Sequence, residues 1–277
     1  VYAGPPQRNS TGRRTDVLLE NKNAVIYGAG LVGRAVARAF AREGARVFLA
    51  GRTLAPLEAV AKEIADAGGR AEAAEVDALD DRSVDAHADR VAAGAGRIDV
   101  SFNAIGHGDV HGPPLLEMPF EDFFRPINVA VKSQFLTTRA AARHMVQQGS
   151  GVILAITATT ARQTIPGVGG TGVTFDAIES QCRQWACELG PRGVRVAWLL
   201  TTGLPEALAD IDQFPDYGTG ALMTKAELIA WNQNKTMLNR LTSLEEVGNA
   251  AAFLASDGAS AMTAVAANLT SGAAPTR

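Results

Sequence analysis

The chain has 277 residues, 47% of them hydrophobic and 20% charged, with a formal net charge of −3 and a pI near 5.9. That balance suits a globular core and leaves no basic footprint for nucleic acid. The length suits one large α/β domain, and no apolar run approaches the ~20 residues that a membrane-spanning helix needs.

Residues 1–17, with Pro5, Pro6, Arg8, Arg13 and Arg14 and no apolar core, are expected to form a flexible leader before a domain over 18–277. Without a targeting segment, a cytoplasmic location is the default expectation. Val25-Ile26-Tyr27 then reads as a short strand, followed by Gly28, Gly30 and Gly33 at G-x-G-x-x-G spacing. Val32, Val36, Ala39 and Phe40 recur behind them at helical period, Gly44 stops that helix, and Val47-Phe48-Leu49 opens a second strand. Strand, glycine turn, helix and strand in this order make a dinucleotide cradle over Gly28, Gly30, Leu31, Val32 and Gly33. One glycine takes a tight turn, one admits a pyrophosphate, and one lets helix and strand pack closely, while the helix start offers free N–H groups.

Helix is expected again over 54–64, strand over 71–76, helix over 80–93 and strand over 98–102, running into Asn103-Ala104-Ile105-Gly106. A long helical stretch spans 120–148, with Pro126 expected to break or restart its first part. Gly151 to Ile156 is a continuous apolar strand, and residues 157–170 form a loop rich in Thr and Gly. Helix over 173–189, strand over 194–200, an irregular and partly helical region over 201–242, helix over 244–254 and strand over 265–269 complete the chain. This alternation predicts a single α/β domain, a doubly wound, seven-stranded parallel sheet of Rossmann-like type with helices on both faces. Cys182 and Cys187 lie five apart within a helix, a spacing that fits neither a metal knuckle nor a redox pair, so neutral thiols and no metal site are expected.

The end of the second strand bears on which dinucleotide is held. It reads Ala50-Gly51-Arg52-Thr53, with no carboxylate for a ribose 2′-hydroxyl and with a guanidinium suited to a 2′-phosphate. NADP is therefore favoured over NAD.

Across residues 18–272 the chain resembles the short-chain dehydrogenase/reductase superfamily. Beyond the glycine turn, the likeness rests on Asp77, Asn103-Ala-Ile-Gly106 in place of an N-A-G run, and Asn128 in the long helix. It extends over Glu188-Leu-Gly-Pro-Arg-Gly-Val-Arg-Val196, the stretch from Arg240 to Ser256, and Asn268-Leu-Thr-Ser-Gly272. The resemblance implies that Asp77 meets the adenine, that Asn103, Ala104 and Gly106 line the nicotinamide side, and that Arg52 and Thr53 meet the adenosine ribose. It further implies a small-molecule substrate and assembly into a homodimer or homotetramer through the helices over 120–148 and 173–189.

The family's catalytic serine, tyrosine and lysine are absent. Aligned from both sides, their positions fall on Ala158, Thr171 and Phe175. A phenol works near neutral pH only beside a positive charge, threonine has no proton to release there, and phenylalanine can neither tune a pKa nor bind a ribose. The glycine turn is also one residue shorter than the family's, and Thr201-Thr202-Gly203 replaces a Pro-Gly turn. Asn128, Thr157, Thr159 and Thr171 are the polar groups left as catalytic candidates. His107, His111 and Tyr217 are possible proton donors, and Lys132 shares a helix face with Asn128. The expected function is an NADP-dependent oxidoreductase acting on a carbonyl or alcohol through a non-standard proton relay. The alternatives are a non-redox cyclase, isomerase or dehydratase, or a non-catalytic binding protein on the same scaffold.

Overall fold

The computed structural model describes residues 17–207, 214–215 and 222–275, so the leader before Val17 and Tyr217 lie outside the described residues. The chain runs β1 (Asn23–Tyr27), α1 (Leu31–Arg42), β2 (Arg46–Gly51), α2 (Leu54–Asp66), β3 (Arg70–Glu75), α3 (Asp81–Ala95) and β4 (Val100–Asn103). It continues through α4 (Phe120–Gln148), β5 (Gly151–Ala158), α5 (Thr171–Leu189), β6 (Val194–Thr201), β7 (Phe214–Pro215) and β8 (Leu222–Met223). The last elements are α6 (Lys225–Gln233), α7 (Leu244–Ala255) and β9 (Val265–Leu269).

Seven strands form one parallel sheet in the order β3-β2-β1-β4-β5-β6-β9, as the alternation predicted. The inner strands are buried on both faces, which is why β1, β2 and β5 read as continuous apolar runs. On one face Phe40, Leu57, Ile64, Val247 and Leu254 from α1, α2 and α7 meet Ile26, Leu49 and Leu154 of the sheet. On the other, Val84, Ala140, Met145 and Ile178 from α3, α4 and α5 meet Val25, Ile153 and Trp198. Strand order reverses between β1 and β4, and a crevice opens at such a switch point beyond the carboxyl ends of the strands.

Three local expectations are corrected. Pro126 does not interrupt α4, which is continuous from Phe120 to Gln148. The proline stands in the second turn, where it forfeits only the bond to the Asp122 carbonyl, and its buried ring packs beside Gly170. Helix α5 starts at Thr171, two residues before the apolar periodicity begins, because Thr174 N–H and Oγ1 both donate to the Gly170 carbonyl. The antiparallel pair β7 and β8 is an addition within the region read as irregular. Cys182 is buried, its thiol pushed up to about 12 by burial and then by Glu179, whereas Cys187 is exposed.

Candidate functional site

At the switch point lies a cavity of about 620 Å³, bounded by the glycine turn, the ends of β2 and β3, and the loop after β4. Two of the glycines are demanded by the backbone. Gly28 has φ +101°, and a Cβ there would stand 2.7 Å from the Ala104 carbonyl oxygen; a Cβ on Gly33 would stand 2.0 Å from the Gly28 carbonyl oxygen. Gly30 differs, because a Cβ there meets nothing within 4 Å. It faces the cavity at the amino end of α1, where no side chain caps the helix and no acidic residue occupies the first turn. Free N–H groups and the positive end of the helix dipole are thus left for an anion.

Gly28, Gly30, Arg52, Thr53, Asp77, Ala104 and Gly106 of the sequence-derived set line this cavity together. Arg52 is exposed on its wall and makes no hydrogen bond or ion pair to another described residue. Asp77 is both a wall residue and a turn former, its Oδ1 accepting the Leu79 N–H at 2.9 Å. Leu31 and Val32 bring no side chain: Leu31 is exposed and Val32 packs on the core, which leaves only their backbone N–H groups to offer a ligand.

Asn103 is corrected from a cleft-lining residue to a structural anchor. It is buried, donates to Thr137 Oγ1 at 3.2 Å and Ser133 Oγ at 3.4 Å, and accepts the Ile105 N–H at 3.0 Å. Those bonds tie the loop after β4 to α4. Asn128 is corrected too. The α4 face turned toward the sheet carries Pro126, Ala130, Ser133 and Thr137, and a residue two positions before Ala130 points about 200° away. Asn128 accordingly lies exposed in an outer groove with Lys132 and Phe135, away from the cavity.

At the positions that sequence aligns with the resembled serine, tyrosine and lysine, Ala158 closes β5 with a methyl group. Thr157 donates to Glu179 Oε1 at 3.2 Å, a carboxylate also paired with Arg162 and Arg183. Thr159 is buried in a single helical turn whose carbonyl accepts the Arg162 and Gln163 N–H groups. Thr171 is the candidate joined to titratable loop groups: its Oγ1 donates to Asp109 Oδ1 at 3.1 Å and lies 3.0 Å from His111 Nε2. One turn on, Phe175 packs edge-on against His107, ring centroids 5.8 Å apart. Burial lowers the pKa of both imidazoles, and Asp109 opposes the shift.

Arg125 was not singled out by sequence. It lines the same cavity from the second turn of α4, with its Cδ 3.6 Å from where a Cβ on Gly108 would be. Its i, i+3 pairing with Asp122 looks like an ordinary surface pair, so nothing local marks it. Among the described residues, no group of three or more His, Cys, Asp or Glu is placed to hold a metal ion, and no helix is long and apolar enough to cross a membrane.

Comparison with known proteins bears on the family and the fold. The sequence profile of a family described as Enoyl-(Acyl carrier protein) reductase matches residues 29–273. The uncharacterized oxidoreductase YxbG of Bacillus subtilis is 32% identical over 246 residues, 88% of each chain. The 7alpha-hydroxysteroid dehydrogenase of Escherichia coli K12 is 30% identical over 243 residues, 87% of this chain and 90% of that one. The crystal structure of a short-chain type dehydrogenase/reductase from Mycobacterium marinum superposes with a TM-score of 0.81 at 30% identity, covering 94% of this chain and 98% of that one.

Proposed function

The chain belongs to the short-chain dehydrogenase/reductase superfamily, a family of oxidoreductases using a nicotinamide cofactor, and on that premise we propose that it binds NADP and acts on a carbonyl or alcohol through an altered proton route. The observation that carries the cofactor choice is Arg52, a guanidinium with no partner among the described residues, on the wall of the cavity that begins at Gly30. The residues fit the group: the open space at Gly30 and the uncapped start of α1 suit a pyrophosphate, Arg52 suits a 2′-phosphate, and Asp77, on the same wall, would face the adenine. Bound there, the nicotinamide would supply or accept the hydride.

The protein's part is then to hold the substrate oxygen and move a proton to it. Thr171 stands at the tyrosine position; when a substrate oxygen is bound, its O–H turns from Asp109 to that oxygen and hands it the proton, while the threonine oxygen takes the Nε2 proton of a protonated His111. Asp109 orients the threonine and stabilises the imidazolium before transfer. Threonine emerges unchanged and His111 neutral, so the proton balance closes. Ala158 and Phe175 favour a second reading, a binding protein without turnover, because neither can hold a substrate oxygen or a ribose.

The exposed Phe120, Phe124 and Phe135 along α4 support assembly through that helix. The functional test is NADPH consumption by the full chain against a panel of steroid, polyol-derived and simple ketones. Turnover of any of them supports the oxidoreductase reading, binding of NADPH without turnover supports the binding protein, and binding of neither NADPH nor NADH refutes both.

A further inference from the structure

Phe175 leaves the nicotinamide half of the proposed cofactor without the cation that the family places against its ribose. A different side chain stands next to that gap. His107 follows the Asn103–Gly106 turn, lines the same cavity as Gly30 and Arg52, and packs edge-on on Phe175. Its ring nitrogens make no hydrogen bond to another described residue, and neither is sealed away without a partner. Burial holds its pKa below the ordinary value against the pull of Asp109, so at neutral pH one nitrogen donates and the other accepts.

Sheet order places this imidazole on the required side. Arg52 follows β2 and His107 follows β4, the two neighbours of β1, so their strands lie ~10 Å apart with the glycine turn between them. A dinucleotide whose pyrophosphate rests at Gly30 and whose 2′-phosphate meets Arg52 must send its other half toward β4. A ribose diol carries two hydroxyls that each donate and accept, which matches a neutral imidazole whose ring nitrogens no described residue occupies.

We propose that His107 holds the nicotinamide-side ribose of the cofactor, doing from the loop after β4 what the residue at position 175 cannot. The assignment rests on the NADP reading above. It is tested on the full chain with two probes, NADPH and adenosine 2′,5′-bisphosphate, the second of which lacks the nicotinamide nucleoside. His107→Leu should weaken NADPH about tenfold, ~1.4 kcal/mol, and leave the bisphosphate within about twofold. His107→Gln, which keeps a donor and an acceptor, should recover part of the loss. The unchanged bisphosphate affinity shows in the same experiment that the site is still folded. Equal weakening of both probes, or of neither, overturns the assignment. Wild-type protein that binds the bisphosphate and NADPH equally overturns it while sparing the nucleotide site, whereas wild-type protein that binds neither removes the NADP reading itself and this assignment with it.

Discussion

His111 Nε2 lies 3.0 Å from Thr171 Oγ1, joining the loop after β4 to the first residue of α5 across 60 residues of sequence. Because the threonine hydroxyl donates to Asp109, the imidazole must be the donor in this pair. Reduction needs the protonated ring, and burial holds the His111 pKa below its ordinary value of about 6.5. The reductive rate should therefore rise as pH falls through that lowered pKa, and the oxidative rate should rise in the opposite direction. In His111→Asn the acid-side rise should vanish with a loss of about 10²-fold, and Thr171→Val should lose a similar amount. A pH profile untouched by His111→Asn contradicts the proton route.

Much of this site is legible in the sequence where backbone rules dictate it. Gly28 and Gly33 are legible from their spacing, and the structure supplies the reason, since a Cβ at either would collide with a carbonyl; Arg52 is legible as a strand-end residue, and it lies on the cavity wall. The failures are matters of phase and of distance along the chain. Asn128 is two residues out of phase with the inward face of α4, a shift that resemblance to a motif does not reveal and that Ala130 conceals by being small. Resemblance of Asn103-Ala-Ile-Gly106 to an N-A-G run suggests a ligand contact, yet the Asn103 amide donates to Ser133 and Thr137, some 30 residues on. The His111–Thr171 and His107–Phe175 contacts depend on how a loop folds back over a helix, which no local pattern encodes.

The glycine turn predicts opposite outcomes for two similar changes. Gly30→Ala should leave the melting temperature near that of the wild type, since the new methyl meets open space, but weaken NADPH by occupying the cradle. Gly33→Ala drives a methyl against the Gly28 carbonyl and should cost roughly 2 kcal/mol or more in stability. Thermal melts with and without NADPH separate the two. A Gly30→Ala protein that melts early and binds normally contradicts the assignment of that glycine.

His87 gives a stability signature independent of any ligand. It is buried on the sheet-facing side of α3, edge-on to Tyr27, with Nδ1 lacking a partner among the described residues, and burial followed by Arg90 lowers its pKa to about 4. Above about pH 6.5 neither folded nor unfolded His87 is protonated. As pH falls from there toward the folded value, the unfolded chain takes up a proton that the folded one refuses, and stability drops by up to roughly 1.4 kcal/mol per pH unit. Urea unfolding at pH 7 and pH 5 should show a smaller acid loss in His87→Leu than in the wild type. Equal losses would mean that this imidazole is protonated in the fold.

The outer face of α4 carries Phe120 stacked on Phe124, with Phe135 against Trp185 further along. If copies of the chain assemble through this face, Phe124→Glu with Phe135→Glu should shift the mass in light scattering to that of one chain and leave NADPH affinity unchanged. A double variant that keeps the wild-type mass moves the interface elsewhere.

The central claim is that the cavity at the switch point holds a 2′-phosphorylated dinucleotide against Arg52. Fluorescence titration of wild type and Arg52→Ala with NADPH and NADH tests it most directly. The account predicts that wild type prefers NADPH, that Arg52→Ala weakens NADPH by about tenfold or more, and that the same change leaves NADH nearly untouched. Equal affinities in the wild type, or equal loss of both nucleotides in the variant, would contradict it.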